Sequence, residues 1–310
     1  MRILVTNIGR RTYFVNFLVD LKKVIKNLKI YLTDSNLLIA GLKIKGTLGV
    51  KLSKIEEGEK KYIKELIKIV KINKISLIIP VTNYDLNILS LNLNKFKKMG
   101  CHVMISRNDL INKCLDKKKL YELSKRYNFY SPKIFKSLIE VKQSKSKLFI
   151  KKLRKGNSSI GQKIIRIPKK DDFHKKYIIQ EYINGDELHL DILNDHNCRF
   201  ISSCLKKKLS MRFGETDIAK LIHDAKIKKL SKKLSKDLKH VGNLDCDIIY
   251  DKINKIPYII DINPRFGGGY PFTHLSGYNF LARYILNFMG KKFKDQNKNN
   301  KIFSKGISLI

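Results

Sequence analysis

The chain has no long hydrophobic run, and this absence excludes a membrane-spanning protein. No apolar stretch approaches the roughly 20 residues that a helix needs to cross a bilayer. The apolar run within residues 1–7 is too short for a signal peptide and is typical of a first β-strand. We therefore expect a cytoplasmic protein.

Cysteine is scarce, and its pattern excludes two further classes. The five cysteines form no CxxC pair. An odd number without a secretion signal predicts reduced, mostly buried thiols rather than a disulfide framework. No spacing of cysteine and histidine suggests a zinc site.

Tryptophan is absent. Acidic residues are few beside the lysines, so the protein carries a net charge of +38. A charge of this size first suggests nucleic-acid binding. The lysines, however, are spread over the whole chain, and arginine is scarce. Because nucleic-acid readers rely on arginine and exposed aromatic side chains, we expect no specific nucleic-acid site, only weak adhesion to polyanions that fades with salt.

Strand and helix patterns alternate over the first hundred or so residues. Short apolar runs predict strands at 3–5, 30–33, 77–81 and 103–105. Apolar residues at helical spacing lie between these runs. The alternation predicts a parallel sheet with helices on both faces, whose ligands lie beyond the carboxyl ends of the strands.

Polar residues follow three of these strands and mark that edge of the sheet. They are Thr6 with Asn7, Asp34, and Thr82 with Asn83. We expect Asp34 and Asn83 to face a ligand cleft. Gly9 stands alone, without the GxGxxG pattern, so a dinucleotide site is poorly supported.

The pattern changes after about residue 115. A basic helix is predicted over 116–127, and a long apolar helix face runs from Ile227 to Val241. Turn signals separate the strands that are predicted in this part, at 147–152, 162–167, 177–181, 187–193, 199–205, 244–250 and 256–262. The predicted fold class is therefore α/β, with α+β character in the C-terminal part.

The last two strands form a predicted hairpin that brings two carboxylates together. If Ile249 pairs with Ile259, then Asp247 lies opposite Asp261 on the same face, with Cβ atoms about 5 Å apart. Two like charges so close repel unless a cation lies between them, and Asn263 adds an oxygen to that face. These three polar residues predict a Mg²⁺ site. The alternative is that one aspartate turns to solvent or to a nearby lysine.

The run after Asp261 is the most informative stretch of the chain. Arg265 adds a fixed fork of donors for an anion. Three glycines at 267–269 let the backbone approach a ligand closely. The alternative is a strand that ends in a glycine-rich turn with an arginine at the surface.

A second group of residues indicates a phosphate site. A predicted strand ends at Lys152, and a loop of small residues follows at 156–161. Small residues free backbone N–H groups to hold phosphate oxygens. The loop is not a Walker loop, because no GK[ST] follows and no helix pattern begins there. A Gly/Ser hairpin tip in a basic protein explains it equally well.

A third group lies at residues 180–187. Glu181 ends one predicted strand, a turn follows, and Glu187 begins the next strand. Such a link can present backbone groups to a base edge and a carboxylate to a ribose. On chemistry alone it is also an ordinary acidic turn.

Taken in this order, these groups resemble the ATP-grasp superfamily, over residues 1–290. Residues 261–272 resemble the family's E-I-N-P-R-F-G-G-G-Y-P run, residues 156–161 its flexible glycine-rich loop, and residues 114–117 its N-D-K entry into the first ATP subdomain. The similarity is closest to single-copy proteins that resemble the ATP-grasp half of the carbamoyl-phosphate synthase large chain.

The resemblance implies a fold with four parts. Residues 1–112 are expected to form a Rossmann-like, parallel-sheet pre-ATP-grasp domain. Residues 113–185 are expected to form the first ATP-grasp subdomain, with the ATP lid and the glycine-rich loop. Residues 186–292 then form the second subdomain, with the metal and catalytic site, and residues 293–310 a polar tail.

The resemblance also implies which residues bind the nucleotide. Lys117 and Lys152 are expected to contact the ATP phosphates, with the choice between Lys151 and Lys152 left open. The other implied contacts are Gly156, Ser158, Ser159 and Gly161 for the phosphates, Glu181, Tyr182 and Ile183 for the adenine, and Glu187 for the ribose.

Metal binding and catalysis are implied for the C-terminal part. Asp247, Asp261 and Asn263 are expected to bind Mg²⁺ (or Mn²⁺) that bridges the phosphates. Arg265 is expected to stabilise the charge on the transferred phosphoryl group. Arg212, with Glu215 beside it, matches a family stretch near the acceptor substrate.

The implied activity is that of an ATP-dependent ligase. ATP phosphorylates a carboxylate, and an amine or other nucleophile attacks the acylphosphate; both partners are small molecules, and a homodimer is compatible with the family. The family's usual glutamate is Asp261 here, and Asp247 replaces a glutamine or glutamate. The alternatives are phosphorylation of bicarbonate or carbamate, ATP binding without catalysis, and a basic polyanion-binding protein.

Overall fold

The computed structural model describes residues 1–156, 162–212, 214–293 and 301–306. Three sheets organise these residues. The first sheet is parallel and alternates with helices along the chain, whereas the other two are antiparallel. The predicted class, α/β with α+β character in the C-terminal part, is confirmed.

The N-terminal sheet has the strand order β3-β2-β1-β4-β5. Its strands are β1 (Arg2–Thr6), β2 (Lys29–Asp34), β3 (Leu48–Lys51), β4 (Leu77–Pro80) and β5 (His102–Val103). The helices of this part are α1 (Thr12–Asp20), α2 (Glu59–Ile72), α3 (Leu86–Leu91), α4 (Leu93–Lys97) and α5 (Asn108–Cys114). In α2, Tyr62, Leu66 and Val70 recur every four residues and bury one face, while lysines cover the other.

The second sheet is small, with the order β6-β9-β7-β8. Its strands are β6 (Ile134–Phe135), β7 (Phe149–Leu153), β8 (Lys163–Ile165) and β9 (Tyr177–Glu181). The helices of this part are α6 (Lys117–Arg126) and α7 (Leu138–Lys142). Helix α6 begins where it does because the Asp116 carboxylate accepts hydrogen bonds from the backbone N–H groups of Lys118 and Lys119.

The third sheet has the order β14-β13-β10-β11-β12-β15. Its strands are β10 (Asp186–Asn194), β11 (Phe200–Arg212), β12 (Glu215–Ile222), β13 (Gly242–Asp251), β14 (Ile256–Asn263) and β15 (Ile302–Ser304). The helices are α8 (Ala225–Leu238), α9 (Tyr270–Leu275) and α10 (Phe280–Phe288). In the described part of residues 293–310, which the sequence predicts to be a polar tail, β15 pairs with β12 along the edge of the sheet.

The largest hydrophobic core joins the N-terminal part to the C-terminal part. Phe14 of α1 packs on Phe266, with ring centroids 5.2 Å apart, and Phe266 packs on Tyr270 at 4.5 Å. All three side chains are buried. This contact fixes the segment after β14 against α1 and so holds the end of β14 beside the carboxyl edge of the N-terminal sheet.

Two further structural facts bear on the composition. All five cysteines are free, and four of them are buried, which agrees with the expectation of reduced thiols. Among the residues that the structure describes, no helix combines the length and the apolar character needed to cross a membrane.

Candidate active site

A cleft of about 740 Å³ lies where the carboxyl edge of the N-terminal sheet meets one face of the third sheet. Several residues that the sequence singled out line it: Asn83, Lys117, Gly156, Glu215, Asp247, Asp261, Asn263 and Arg265. Asp34 does not, and that expectation is wrong. Its carboxylate instead accepts hydrogen bonds from the N–H groups of Gly9 (2.9 Å) and Asn36 (3.2 Å), and so shapes the loop after β1.

Two carboxylates face each other across the strands β13 and β14. Asp247 lies opposite Asp261, as predicted. The pairing of Ile249 with Ile259, from which this was inferred, is wrong by one residue, because a bulge at Ile260 shifts the register toward the turn. The bulge lies on the turn side of both aspartates and therefore leaves their opposition intact.

The same pair of strands carries two more polar side chains on this face. Asp245 lies opposite Asn263, two residues from Asp247 and Asp261 respectively. Because side chains alternate between the faces of a strand, the four residues share one face. Three of them were predicted as metal ligands from the sequence; Asp245 was not, although its two-residue spacing from Asp247 indicates the same face.

Each of the opposed aspartates is held by a lysine. Lys117 Nζ lies 3.3 Å from Asp261 Oδ1, and Lys208 Nζ lies 2.7 Å from Asp247 Oδ1. Burial opposes ionisation of Asp247, but the Lys208 cation outweighs burial and holds the pKa of this carboxyl well below its usual range. The alternative weighed from the sequence, a carboxylate turned to a lysine, is thus the observed arrangement of both aspartates.

This face also fits a hard divalent cation. Two carboxylates and the Asn263 carboxamide supply the oxygen ligands that Mg²⁺ prefers. The side chains of Asp247 and Asp261 keep 27% and 20% of their exposure, so a ligand in the cleft can reach them. The lysines beside them show that the face already attracts positive charge.

The structure separates the two lysines between which the sequence left the phosphate contact open. Lys151 points away from the cleft, where its Nζ lies 2.7 Å from Asp172. Lys152 points the opposite way and is buried, and no carboxylate among the described residues forms an ion pair with it. Burial, together with the nearby Lys117 cation, lowers the pKa of Lys152 to about 8. The Asp261 and Asp247 carboxylates oppose this shift in pKa without forming an ion pair with Lys152.

Arg265 is held from both sides of the cleft. Its Nε donates to Asn83 Oδ1 at 2.7 Å, and its Nη1 lies 3.2 Å from Asp245 Oδ2. Asn83 also donates from Nδ2 to Asn263 Oδ1 at 2.8 Å. One asparagine of the N-terminal part therefore orients both the arginine and one of the predicted metal ligands.

His189 lies in the floor of the cleft, and the sequence analysis gave it no role. Its Nε2 lies 2.9 Å from Asp245 Oδ1 and 3.4 Å from Asp191 Oδ1, and its Nδ1 lies 3.5 Å from Asp247 Oδ1. Burial and the nearby Lys206 cation oppose its protonation, but the carboxylates of Asp245 and Asp191 outweigh both and raise the pKa of His189 to about 10. The sequence signal for this contact was the two-residue spacing of His189 and Asp191, which places both side chains on the same face of one strand.

Two of the three glycines after Arg265 pack on protein side chains. A Cβ atom on Gly267 would lie 2.1 Å from Asp245 Oδ2, and one on Gly269 would lie 2.6 Å from the His189 ring. From the sequence, these glycines were expected to allow the close approach of a ligand. In the structure, Gly267 and Gly269 instead let the loop close over Asp245 and His189.

Six other predicted residues that the structure describes do not line the cleft: Lys152, Glu181, Tyr182, Ile183, Glu187 and Arg212. The Glu181 carboxylate accepts a hydrogen bond from the Ser146 hydroxyl at 3.1 Å. Glu187 is half exposed, 3.6 Å from the Lys208 ammonium. The Arg212 guanidinium is exposed and pairs with Asp217 at 3.1 Å. Tyr182 and Ile183 form the partly buried link between β9 and β10. Ser158, Ser159 and Gly161 lie outside the described residues.

Comparisons with known proteins agree with this architecture. A family model of the ATP-grasp domain matches residues 114–269, and a model of the PylC-like N-terminal domain matches residues 3–104. No curated protein matches the chain in sequence.

Solved structures with the same fold share little sequence with the chain. The ADP complex of purK, N5-carboxyaminoimidazole ribonucleotide synthetase, has a TM-score of 0.73 at 12% identity, with 97% of this chain and 80% of that chain covered. The biotin carboxylase domain of Hydrogenobacter thermophilus 2-oxoglutarate carboxylase, with MgADP and bicarbonate, has a TM-score of 0.71 at 12% identity, with 97% of this chain and 73% of that chain covered. The L-amino acid ligase from Bacillus licheniformis has a TM-score of 0.68 at 13% identity, with 96% of this chain and 75% of that chain covered.

Proposed function

The chain belongs to the ATP-grasp family, and we propose that it is a ligase that uses ATP and Mg²⁺ to activate a carboxylate as an acylphosphate, which an amine or another nucleophile then attacks. The observation that carries the proposal is the meeting of opposed Asp247 and Asp261 with Arg265 and cationic lysines in one cleft. The similarity to an L-amino acid ligase supports an amine as the nucleophile.

The first step transfers a phosphoryl group. A carboxylate oxygen of the acceptor attacks the γ-phosphorus of ATP, the bond from that phosphorus to the bridging oxygen breaks, and ADP leaves. Lys117 and Lys152 hold phosphate oxygens, and Arg265 donates hydrogen bonds to the oxygens on which negative charge grows. Such a step depends mainly on positioning and electrostatic stabilisation.

The metal-binding role falls to Asp247, Asp261 and Asn263. Bound there, Mg²⁺ supplies a Lewis acid that neutralises charge on the phosphates. Asp247 and Asp261 supply two carboxylates, and Asn263 supplies a neutral oxygen that Asn83 orients. Lys117 and Lys208, which pair with these aspartates, line the same cleft.

The second step uses the leaving group that the first step made. The nucleophile attacks the acyl carbon, and phosphate leaves with the oxygen that came from the acceptor carboxylate. This gives a direct test with a carboxylate labelled with ¹⁸O. We expect ADP release to depend on the acceptor, and the label to appear in inorganic phosphate.

The labelling experiment also separates the rival functions. A panel of carboxylates that includes bicarbonate, offered with several amines, distinguishes a carboxylate–amine ligase from bicarbonate phosphorylation. Release of unlabelled phosphate at a rate that no acceptor changes would contradict the proposal and indicate simple ATP hydrolysis.

Substitution of Lys152 tests the phosphate contact. Lys152→Met removes a buried charge that has no ion-pair partner among the described residues, so we expect unchanged or higher thermal stability. The affinity for MgATP should fall about 10- to 100-fold, because a hydrogen bond to a charged group contributes about 1.5–3 kcal/mol. Differential scanning fluorimetry and nucleotide titration measure the two effects.

Lys151→Met is the matched control, since Lys151 faces Asp172 outside the cleft; equal losses of nucleotide affinity would contradict the assignment. The pH dependence gives a second check. The folded pKa of Lys152, about 8, lies below the unfolded value of about 10.4. The unfolded chain therefore binds more protons between these values, and this group makes the folded state more stable as pH rises through that window. Lys152→Met should lose this contribution.

Substitution of Asn83 tests the contribution of the N-terminal part. Asn83→Leu keeps the volume but removes the hydrogen bonds to Arg265 and Asn263. We expect kcat to fall about 100-fold, the effect of a displacement of about 1 Å in a reacting geometry. Asn87→Leu, at the same cleft, is the control. A normal kcat in Asn83→Leu would show that Arg265 keeps its position without this bridge.

A further inference from the structure

Five buried or nearly buried ionisable side chains form a chain of contacts beneath the cleft. Lys206 Nζ lies 2.5 Å from Asp191 Oδ2, and Asp191 Oδ1 lies 3.4 Å from His189 Nε2. His189 Nε2 lies 2.9 Å from Asp245 Oδ1, and Asp245 Oδ2 lies 3.2 Å from Arg265 Nη1. The chain begins inside the protein and ends at the arginine in the cleft.

The chain is built on rigid elements. His189 lies opposite Lys206 on the neighbouring strands β10 and β11, and Asp191 lies opposite Asp245 on β10 and β13. The exposed fractions are 0% for Lys206 and Asp191 and 5% for His189 and Asp245. Only Arg265, at the end, has a side chain with appreciable exposure, 14%.

The surroundings of the chain are arranged to keep it in place. Asn243 donates to Asp191 Oδ1 at 2.9 Å, and the Thr273 hydroxyl donates to Asp191 Oδ2 at 2.5 Å. The glycines at 267 and 269 bring the loop against Asp245 and His189 at distances that no side chain at those positions would permit. Two positions of this loop therefore need glycine because they pack directly on Asp245 and His189.

Stability alone does not explain the arrangement. Burying ions is costly, and replacing a buried ion pair by apolar residues is often neutral or stabilising. A buried chain of charges is therefore better explained by the geometry that it imposes at its exposed end. Its length matters because Arg265 contacts Asp245 at Oδ2, whereas His189 approaches Oδ1 in an ion-pair contact without hydrogen-bond geometry and so constrains the other carboxylate oxygen.

We propose that His189 is a positioning residue for Arg265: it fixes the Asp245 carboxylate between an imidazole and a guanidinium, and Lys206 with Asp191 fixes the imidazole. The inference rests on the proposed function, in which Arg265 stabilises the transferred phosphoryl group. It assigns the inner end of the chain to anchoring and the outer end to catalysis.

A direct metal site at the same residues is the rival explanation. His189, Asp191 and Asp245 each have a ligand atom within 4.8 Å of the others. The Lys206 ammonium, however, already neutralises Asp191, and Gly269 closes on the His189 ring. An ion there would have to displace the lysine and open the loop, so the positioning role is favoured.

The variant His189→Gln tests the proposal because glutamine can still donate hydrogen bonds but lacks the rigid ring whose nitrogens face Asp245, Asp191 and Asp247. We expect kcat of acceptor-dependent ADP release to fall 10-fold or more, with the KM for MgATP nearly unchanged, because Lys208 still holds Asp247. In an Arg265→Gln background the same substitution should have little further effect. His174→Gln, an exposed histidine, is the control.

A readout that needs no turnover separates this inference from the proposed function. The Arg265 Nε–H donates to Asn83, so its NMR signal, assigned by comparison with Arg265→Lys, should be protected from solvent exchange. His189→Gln should increase that exchange and leave the melting-point rise with Mg²⁺ and a nucleotide analogue intact. If the wild type proves catalytically silent, this measurement still decides the positioning role.

Three results would overturn the inference. They are an unchanged Arg265 signal in His189→Gln, additive losses of kcat in the double variant, and a loss of metal-dependent nucleotide binding in place of kcat; the last would indicate the metal site. If His189→Gln does not fold, the paired variant Lys206→Met/Asp191→Leu removes both members of the inner ion pair together, so that neither is left as an unpaired buried charge. The same increase in Arg265 exchange is expected in that variant, and its absence contradicts the proposal.

Discussion

Asp261→Ala is expected to abolish Mg²⁺-dependent nucleotide binding. The substitution removes one of the two opposed carboxylates and leaves Lys117 without its partner. For the wild type, a non-hydrolysable ATP analogue at 100 times its Kd stabilises the folded state by about 2.7 kcal/mol, a melting-point rise of several degrees. In Asp261→Ala this rise should disappear, and turnover should fall about 1,000-fold, since a metal ion supplies several kcal/mol of charge stabilisation.

Two variants make this prediction specific. Asp261→Glu restores the longer side chain that the family usually carries, and we expect it to retain the Mg²⁺-dependent rise. Asp171→Ala removes an exposed aspartate outside the cleft and should behave as wild type. A full Mg²⁺-dependent rise in Asp261→Ala would mean that the metal site lies elsewhere.

Arg265→Gln is expected to lower kcat by about 100- to 1,000-fold, the loss that follows removal of one donor to a developing oxyanion. The KM for MgATP should change little, because the lysines still hold the phosphates. Arg265→Lys keeps the charge but loses the planar fork that bridges Asn83 and Asp245, so it should recover only part of the rate. Steady-state kinetics of acceptor-dependent ADP release measure both variants.

Arg107→Gln is the matched control, because the Arg107 guanidinium is exposed and lies outside the cleft lining. An increase in the KM for MgATP at unchanged kcat would assign Arg265 to ground-state nucleotide binding instead of catalysis. Equal kcat in Arg265→Gln and wild type would remove it from the mechanism.

The opposition of Asp247 and Asp261 could be predicted because it depends on local rules. The two strands are joined by a short turn, and the two-residue alternation of side chains fixes which residues share a face. The bulge at Ile260 could not be predicted, since no residue there demands one. The predicted opposition of the two aspartates held because the register shift that the bulge introduces lies between them and the turn.

The bridge through Asn83 and the charges beneath the cleft depend on contacts between distant parts of the chain. Asn83 and Asn263 are 180 residues apart, and the packing of α1 on the segment after β14 brings them together. His189 and Lys206 meet because two strands pair in one register among several that the sequence permits. Residue types alone carry no information on such pairings, so the sequence gives no role to His189.

The lysines that pair with Asp261 and Asp247 act as internal counterions in the cleft. Under the proposed function, binding of a nucleotide and its metal would transfer the carboxylates from ammonium groups to the metal and the ammonium groups to phosphates, so that ion pairs are exchanged rather than added. Such an exchange releases few bound counterions into solution. Nucleotide affinity should therefore be much less sensitive to salt than the adhesion of this +38 surface to polyanions, and moderate salt would separate the specific ligand from the nonspecific ones.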